Sequence, residues 1–520
     1  MQDLKELVYI VTKNRLKTIE IIGDSSDAPS RVTDFYNALA DGKFETDDEA
    51  AAFFYEGDKQ HSGYQKLRTN LKSRLINSLF FIDGKDTDIS ERERAYYLSY
   101  REWAAAKILF SKNASHAAIS ICHKLLKAAK RYEFTELAVD ITRTLRLHYG
   151  TREANIKKFE QYNEQFKWYE RVWHMENLAE ELYADLTISY IHSRLDKLAL
   201  HETAREYLSR LGEAPLDPEA SYRLYLGASM LEISIYTSIN DYENAIEVCK
   251  KSIAFFQQKP YAAKIPLQIY YYQLMVCHIQ LKKYEAGKED SEKCLSYLEE
   301  GTYNWFKYRE LYMLLSLHTS QYQEAYRIFM ETIEHPKFKT MASHITEMWK
   351  IFEAYVHYLI EIGKIRPKEG EVHFTHFRLG KFLNEVPIFS KDKRGMNIPV
   401  LVIQIVLMIQ QKKYNEAIDR IESIKKYCSR YLRQDDTFRS NCFIKMLLQI
   451  PANSFHRTGV ERKTRKLFKR LKEVPLDVAN QSHEIEIIPF ESMWALVLEQ
   501  LENRFVRVYP AKKDTKKLLS

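Results

Sequence analysis

Apolar residues along this chain recur at spacings of three and four, the period of a helix, and almost nowhere at the spacing of two that a half-buried strand needs. In NDYENAIEVCKKSI, residues 240–253, Tyr242, Ala245, Cys249 and Ser252 follow one another at 3-4-3 and so share one helix face. The same pattern returns in KKYEAGKEDSEKCL from Lys282, in SQYQEAYRIFMETI from Ser320 and in KKYNEAIDRIESIK from Lys412. A tyrosine opens each copy, and the residue three further on is small: Ala245, Gly287, Ala325 or Ala417. Another helical stretch precedes each tyrosine: YRLYLGASMLEISIYTSI, QIYYYQLMVCHIQL, KYRELYMLLSLH and VLVIQIVLMIQ. The pattern therefore predicts units of two antiparallel helices, with the tyrosine covering the turn and the small residue at a close helix contact. One such pair cannot bury its apolar faces alone, so neighbouring pairs are expected to stack.

These units resemble tetratricopeptide repeats, whose second helix opens with Gly/Asp-Tyr-x-x-Ala. The residues carrying the likeness are NDYENAI, KKYEAGK, SQYQEAY and KKYNEAI, with His335-Pro336 supplying the proline such a unit often ends on. The tyrosines lie 42, 38 and 92 residues apart, against the family's period of about 34. Units of about 40 residues occur in regulatory relatives, and the longest gap leaves room for two of them. The resemblance implies an all-α fold, a right-handed superhelical solenoid of antiparallel helix pairs whose first helices line a concave, partner-binding face. On that basis the exposed inner-face residues are Tyr272, Gln280, Lys307, Glu310, His318 and Gln410. Relatives that grip a peptide's terminal carboxylate use a Lys/Asn set on these helices. GASMLEISIYTSI and YYQLMVCHIQL lack that set, which argues against a chaperone-tail co-factor.

Punctuation divides the chain further. Residues 1–85 read as a small helical module: a helix over 2–22, the polar loop GDSSDAPS, and three more helices, one opened by a Thr46/Glu49 capping box. Residues 86–215 read as degenerate repeats, with a second box at Ser90/Glu93 and a long helix from Arg152 to about His192. Along that helix Phe159, Tyr162, Phe166, Tyr169 and Trp173 form a stripe, expected as a packed seam rather than an aromatic ligand groove. The repeats at 216–365 follow LGEAPLDPEAS, where Asp217 can cap a helix beginning at Pro218. Residues 366–396 hold a degenerate pair and a loop, with HFTHFRLGKFLNEV expected as the helix that partners SHITEMWKIFEAYVHYLIEIGK. A further repeat and a basic helix occupy 397–475, and a cap and tail 476–520. The one stretch of strand-like alternation is VPLDVANQSHEIEIIP, and the tail PAKKDTKKLLS is expected to be disordered.

Composition agrees with this organisation. A single core stops growing near 250–300 residues, so 520 residues imply several domains or a stacked array. Only 15 Gly and 13 Pro interrupt it, far below average usage, as suits an all-helical chain. The six cysteines, at wide spacings and with no Cys-x-x-Cys, read as reduced core thiols of a cytosolic protein. MQDLKELVYI lacks the basic region of a signal peptide. The apolar run 398–409 is interrupted by Gln404 and falls short of the ~20 residues of a membrane span. A cytoplasmic protein with no membrane partner is the expectation. A net charge of +7, from 78 basic and 71 acidic residues, is by itself no argument for nucleic acid.

No glycine-rich phosphate loop, H-E-x-x-H or G-x-S-x-G occurs. His373 and His376 offer two metal ligands where zinc takes at least three from a protein. Cys122 and His123 are adjacent, so they diverge on a helix, and Glu289/Asp290 reads as a solvated acidic face. No cofactor and no catalytic activity are expected. The densest charge run is RTGVERKTRKLFKRLKE, with eight Lys or Arg between Arg457 and Lys472 against Glu461 alone. Its Lys463, Arg465, Lys466, Lys469 and Arg470 are candidate phosphate contacts. YQKLRTNLKSRL adds Lys66, Arg68, Lys72 and Arg74, although YEGDKQHSG before it is too long for the turn of a helix-turn-helix. The leading expectation is thus a non-catalytic scaffold or sensor for a protein or peptide. The alternative is a nucleic-acid-associated regulator using the basic helices at 64–75 and 457–472.

Overall fold

A computed structural model describes residues 1–13, 30–80, 90–193, 197–214, 220–385, 397–421, 438–474, 476 and 486–506. Every regular element among them is helical. The chain divides into two compact units, Met1–Glu170 with Pro260–Ala262, and Arg171–Lys259 with Ala263–Ser520.

The first unit opens with α1 (Gln2–Lys13), α2 (Arg31–Ala40), α3 (Asp47–Tyr55) and α4 (Ser62–Leu79). Leu4, Val8 and Val11 of α1 meet Phe35 of α2 and Tyr64, Leu71 and Leu75 of α4, each spaced at three, four or their sums. The rest of the helix expected over 2–22, and the polar loop after it, lie outside the described residues. Thr46 caps α3 by accepting the Glu49 amide at 3.2 Å. The Glu49 carboxylate returns to the Glu45 amide at 2.7 Å, one residue ahead of the cap. Ser90 likewise caps α5 (Glu91–Ser111), which packs on α6 (Ser115–Tyr132), and α6 on α7 (Thr135–Thr151).

Helix α8 (Ile156–Ser193) supplies residues to both units. In the first unit its stripe is a seam over part of its length. Tyr162 is buried and stacks on Tyr149, with centroids 5.5 Å apart, and Arg146 lies 4.1 Å over Phe166. Phe159 fits against Gly150, where a Cβ would come within 2.9 Å of its ring. Farther along α8, Trp168 and Trp173 are more than a third exposed.

The second unit continues with α9 (Lys197–Leu211), α10 (Tyr222–Ser238), α11 (Tyr242–Gln257), α12 (Lys264–Gln280), α13 (Tyr284–Ser296), α14 (Tyr303–His318), α15 (Tyr322–Ile333) and α16 (Ser343–Glu361). Each packs on the next. Asp217 and Pro218 lie outside the described residues, and the helix after them starts at Tyr222 with Ser221 as its cap.

The repeated tyrosines do open second helices, and the turn before each is the same. Asn240, Lys282, Ser320 and Lys412 all have positive φ, between 54° and 61°. The next amide in each case reaches back five residues, Asp241 to Tyr236, Lys283 to His278, Gln321 to Ser316 and Lys413 to Met408, at 2.8–2.9 Å. A left-handed residue followed by a six-to-one bond is the Schellman termination, which satisfies carbonyls that the helix end leaves orphaned. Tyr242 covers its turn and donates to Asn240 Oδ1 at 3.2 Å. Ala245, Ala325 and Ala417 are fully buried. At Gly287 a Cβ would lie 2.8 Å from Leu315 and 3.1 Å from the His278 Cβ, so the second repeat needs glycine where the others take alanine.

One expected pair is incomplete. After α16 the chain turns at Gly363 (φ 71°) in the same way, but HFTHFRLGKFLNEV does not form a continuous second helix. Pro367 removes a donor and Gly370 (φ 83°) reverses the chain. A 3₁₀ turn, His373–His376, and a short helix, Leu379–Glu385, follow. Phe374 instead packs on Phe329 and Phe377 on His357, covering α15 and α16 with rings rather than with a helix face.

The unit closes with the helices Asn397–Gln410, Phe438–Leu447, Arg457–Glu473 and Phe490–Gln500. Of the alternating stretch, Val474, Leu476 and Glu486–Pro489 are described, and none of it is strand. It carries Glu486 inward to Arg439, the most heavily bonded side chain of the region. Arg439 pairs with both oxygens of Glu486 at 2.6 and 3.0 Å and with Glu491 at 2.8 and 3.0 Å. It also caps the Leu471 carbonyl at 3.1 Å. The tail 507–520 lies outside the described residues. Cys122, Cys249, Cys277, Cys294 and Cys442 are free and buried; Cys428 lies outside the described residues. No described helix is long and apolar enough to cross a membrane.

Two substitutions test the turn and the contact separately. Lys282→Gly relieves the left-handed strain and is expected to stabilise the second unit by about 0.5–1 kcal/mol, whereas Gly287→Ala overpacks the pair and costs about 1–3 kcal/mol; thermal midpoints should move in opposite directions. Arg439→Met leaves Glu486 buried without its partner, and a urea titration should show about 3–5 kcal/mol lost.

Candidate functional site

Side chains from successive first helices converge on one pocket of 390 Å³ in the second unit. From α10 come Arg223, Leu226, Gly227 and Met230, at 3-1-3 spacing and so on one face. Helix α12 adds Gln268, Ile269, Tyr272 and Gln273, and α14 adds Asn304, Lys307 and Tyr308. Glu180 and Tyr183 reach in from α8. Gly227 sets the floor: a Cβ there would lie 2.9 Å from the Ala179 Cβ and 3.2 Å from its carbonyl carbon, so α8 and α10 touch at that level.

The charges of the pocket are paired before any ligand arrives. Arg223 makes two 2.6 Å bonds to the two oxygens of Glu180 and stands 3.6 Å from the buried Glu176. Lys307 donates to Glu310 Oε2 at 2.8 Å, and Glu310 Oε1 is buried with no partner among the described residues. Burial raises the Glu310 carboxyl above its ordinary range, against the pull of Lys307. Tyr272 is 36% exposed, yet the groove walls crowd its hydroxyl and desolvation pushes it up to about 12. Tyr308 is buried, and desolvation pushes it too up to about 12. At neutral pH the pocket therefore offers apolar walls, neutral phenols and two internally balanced ion pairs, an arrangement suited to gripping an amphipathic group.

Of the six residues expected on an inner face, Tyr272 and Lys307 are brought together here. Gln280 and Gln410 sit half-buried at the ends of their helices, outside the pocket. Glu310 is buried rather than exposed and serves to hold Lys307. His318 is buried as well, because Glu486–Pro489 covers that end of α14 and its Nε2 bonds the Glu486 carbonyl at 2.7 Å. The helix spacing of α10 could have pointed to Arg223 and Met230. Glu180 and Tyr183 carried no such signal, since they lie beyond Trp173, where the aromatic stripe of α8 ends.

A larger hollow, 560 Å³, lies between α13, α15 and residues 368–371. In its lining Arg327 is already bridged to Glu324 and Glu331.

Other candidate chemistry resolves into structure. Asp290 is not part of a solvated face but bonds the buried His278 at 3.0 Å, while Glu289 pairs with Lys293. Cys122 points into the core and His123 towards the Tyr149 and Tyr162 hydroxyls, 3.0 and 3.1 Å away. His373 pairs with Glu353 at 2.9 Å, and the His376 side chain lies outside the described residues. Among the described residues no three metal-ligating side chains converge. On α4, Arg68 bonds Asp47 and Asp3, and Lys72 bonds Asp3. The Lys72 bond, with the charge of Arg68, holds the Asp3 carboxyl down to about 2 despite some burial. Lys463, Arg465, Lys466, Lys469 and Arg470 all stand exposed on the helix Arg457–Glu473.

Compared with known protein families, curated proteins and solved structures, the chain matches none of them.

His318 gives the second unit a pH dependence. Desolvation lowers its pKa from 6.5 to about 4, so between those values the unfolded chain binds a proton that the folded chain does not. Its contribution to stability is complete above about pH 6.5 and lost as pH falls towards 4, about 3 kcal/mol at most. Denaturation midpoints across that range should drop less steeply for His318→Gln than for the wild type.

Proposed function

We propose that this protein is a non-catalytic scaffold or sensor, an adaptor that holds a protein or peptide partner on the first helices of a right-handed superhelix of TPR-like pairs. The observation supporting this reading is the convergence of α8, α10, α12 and α14 on one pocket with Tyr272 at its rim. Its 390 Å³ lies near the lower end of the roughly 300–1,000 Å³ typical of ligand sites. That is room for one or two large side chains of a peptide. Burying such a side chain is worth about 1.5–3 kcal/mol, and interface energy concentrates in a few aromatic and arginine anchors. Arg223 and Lys307 then select among partners, since an incoming carboxylate can share their protons while an incoming cation meets Glu180 and Glu310. The buried thiols fit a reducing, cytoplasmic setting. A nucleic-acid role draws little from α4, where Arg68 and Lys72 are engaged within their own module.

Affinity purification from the native source after nuclease treatment, with wild type and a Tyr272→Ala/Lys307→Ala double variant side by side, tests the reading. A protein held by the wild type and depleted at least tenfold by the variant is the expected result. Identical captured sets for both forms would remove the pocket from the account.

A further inference from the structure

We propose that the outer face of the helix Arg457–Glu473 docks the sugar-phosphate backbone of duplex nucleic acid, without reading its bases and independently of the pocket.

The helix is fixed by its other face. Val460, Thr464 and Leu471 are buried, Leu467 and Phe468 half-buried, and it packs on Phe438–Leu447 and on Phe490–Gln500. Opposite them stand Arg462, Lys463, Arg465, Lys466 and Lys469, all exposed. At 100° per residue these five occupy an arc of roughly 160°. Among the described residues none has a carboxylate within 4.0 Å or lies over a ring. Arg470 and Lys472, by contrast, rest over Phe438 and Phe468.

Stability does not account for this face. At i,i+4 the like-charge pairs Arg462/Lys466, Arg465/Lys469 and Lys466/Arg470 are matched by the opposite pairs Arg457/Glu461, Glu461/Arg465 and Lys469/Glu473. At i,i+3, however, the like pairs Arg462/Arg465, Lys463/Lys466, Lys466/Lys469 and Lys469/Lys472 stand against Arg470/Glu473 alone, so repulsion prevails. Arg457 stands in the first turn, where the helix dipole disfavours cations, and only Arg470 and Lys472 stand in the last turn, where it favours them. Repulsion left in excess inside the fold points to a partner that offsets it.

The chemistry of the face selects that partner. Its apolar residues are engaged in packing, so nothing remains to insert into a lipid interface. It carries no exposed Trp or Tyr to anchor a protein, and no interleaved aromatics on which single-stranded bases could stack. The five cations span about 10 Å of helix axis. A duplex carries one negative charge per ~1.7 Å, hence about six over that length and enough to pair every one of them.

Fluorescence anisotropy of the full chain with labelled 25-base-pair DNA and RNA duplexes, from 50 to 200 mM salt, tests this. Binding should weaken with a slope of about −4.5 in log K against log salt, near −0.9 for each of the five phosphates neutralised. Replacing Lys463, Arg465, Lys466 and Lys469 by Gln should weaken binding at least thirtyfold and flatten the slope by roughly 3.6. The double variant Lys463→Gln/Lys466→Gln should fall between, with a circular-dichroism midpoint no lower than wild type because repulsion is removed. Tyr272→Ala should bind as wild type does, so failure here and failure of the pocket reading remain separable. No duplex binding at 50 mM salt, or equal affinity in the glutamine variants, overturns the proposal. So does tighter binding to single strands, to poly-glutamate or to phosphatidylserine vesicles.

Discussion

Three residues reverse the chain between paired helices, and the middle one must take a left-handed conformation that only glycine adopts without cost. At Asn240, Lys282, Ser320 and Lys412 the protein accepts that cost in return for a sharp, identical reversal. The six-to-one bond that closes each reversal fixes where the next helix starts, and so which face carries the tyrosine and the small residue four positions into the motif. Everything packed in the repeats follows from this phase. Shifting a second helix by one residue rotates it by 100°, which would replace Ala325 at the contact with Tyr326 or Glu324.

The same phase determines what the first helices are free to do. Their contact with the second helices uses one side, and the side left over in α10, α12 and α14 varies in sequence because no partner helix dictates it. Arg223, Tyr272 and Lys307 come from that uncommitted side. The pocket is therefore a by-product of regular stacking, given character by residues that contribute little to the stacking itself.

Helices, turn positions and close contacts were legible because they follow from spacing of three and four, which the chain repeats. The capping residues Thr46 and Ser90 were legible for a similar reason, since they act within three residues of themselves. The incomplete pair after α16 was not, because rings replacing a helix face leave no periodic trace. His318 and Glu310 looked exposed because periodicity assigns a face but not what covers it. The segment covering His318 lies far along the chain and looked like a strand. Glu180 was hidden for a related reason: it lies beyond the stripe that ends at Trp173, and its partner Arg223 is 43 residues away in the chain.

Most contacts in the repeats join helices adjacent in sequence, so each can form as soon as its neighbour has. The bond from His318 to the Glu486 carbonyl spans 168 residues. Closing so long a loop costs entropy that no local step returns, and long-range pairings form slowly for that reason. The repeats can assemble pair by pair, but the end of α14 is sealed only when Glu486–Pro489 has arrived. During synthesis that patch is open for the whole time it takes to add the 168 residues between the two partners.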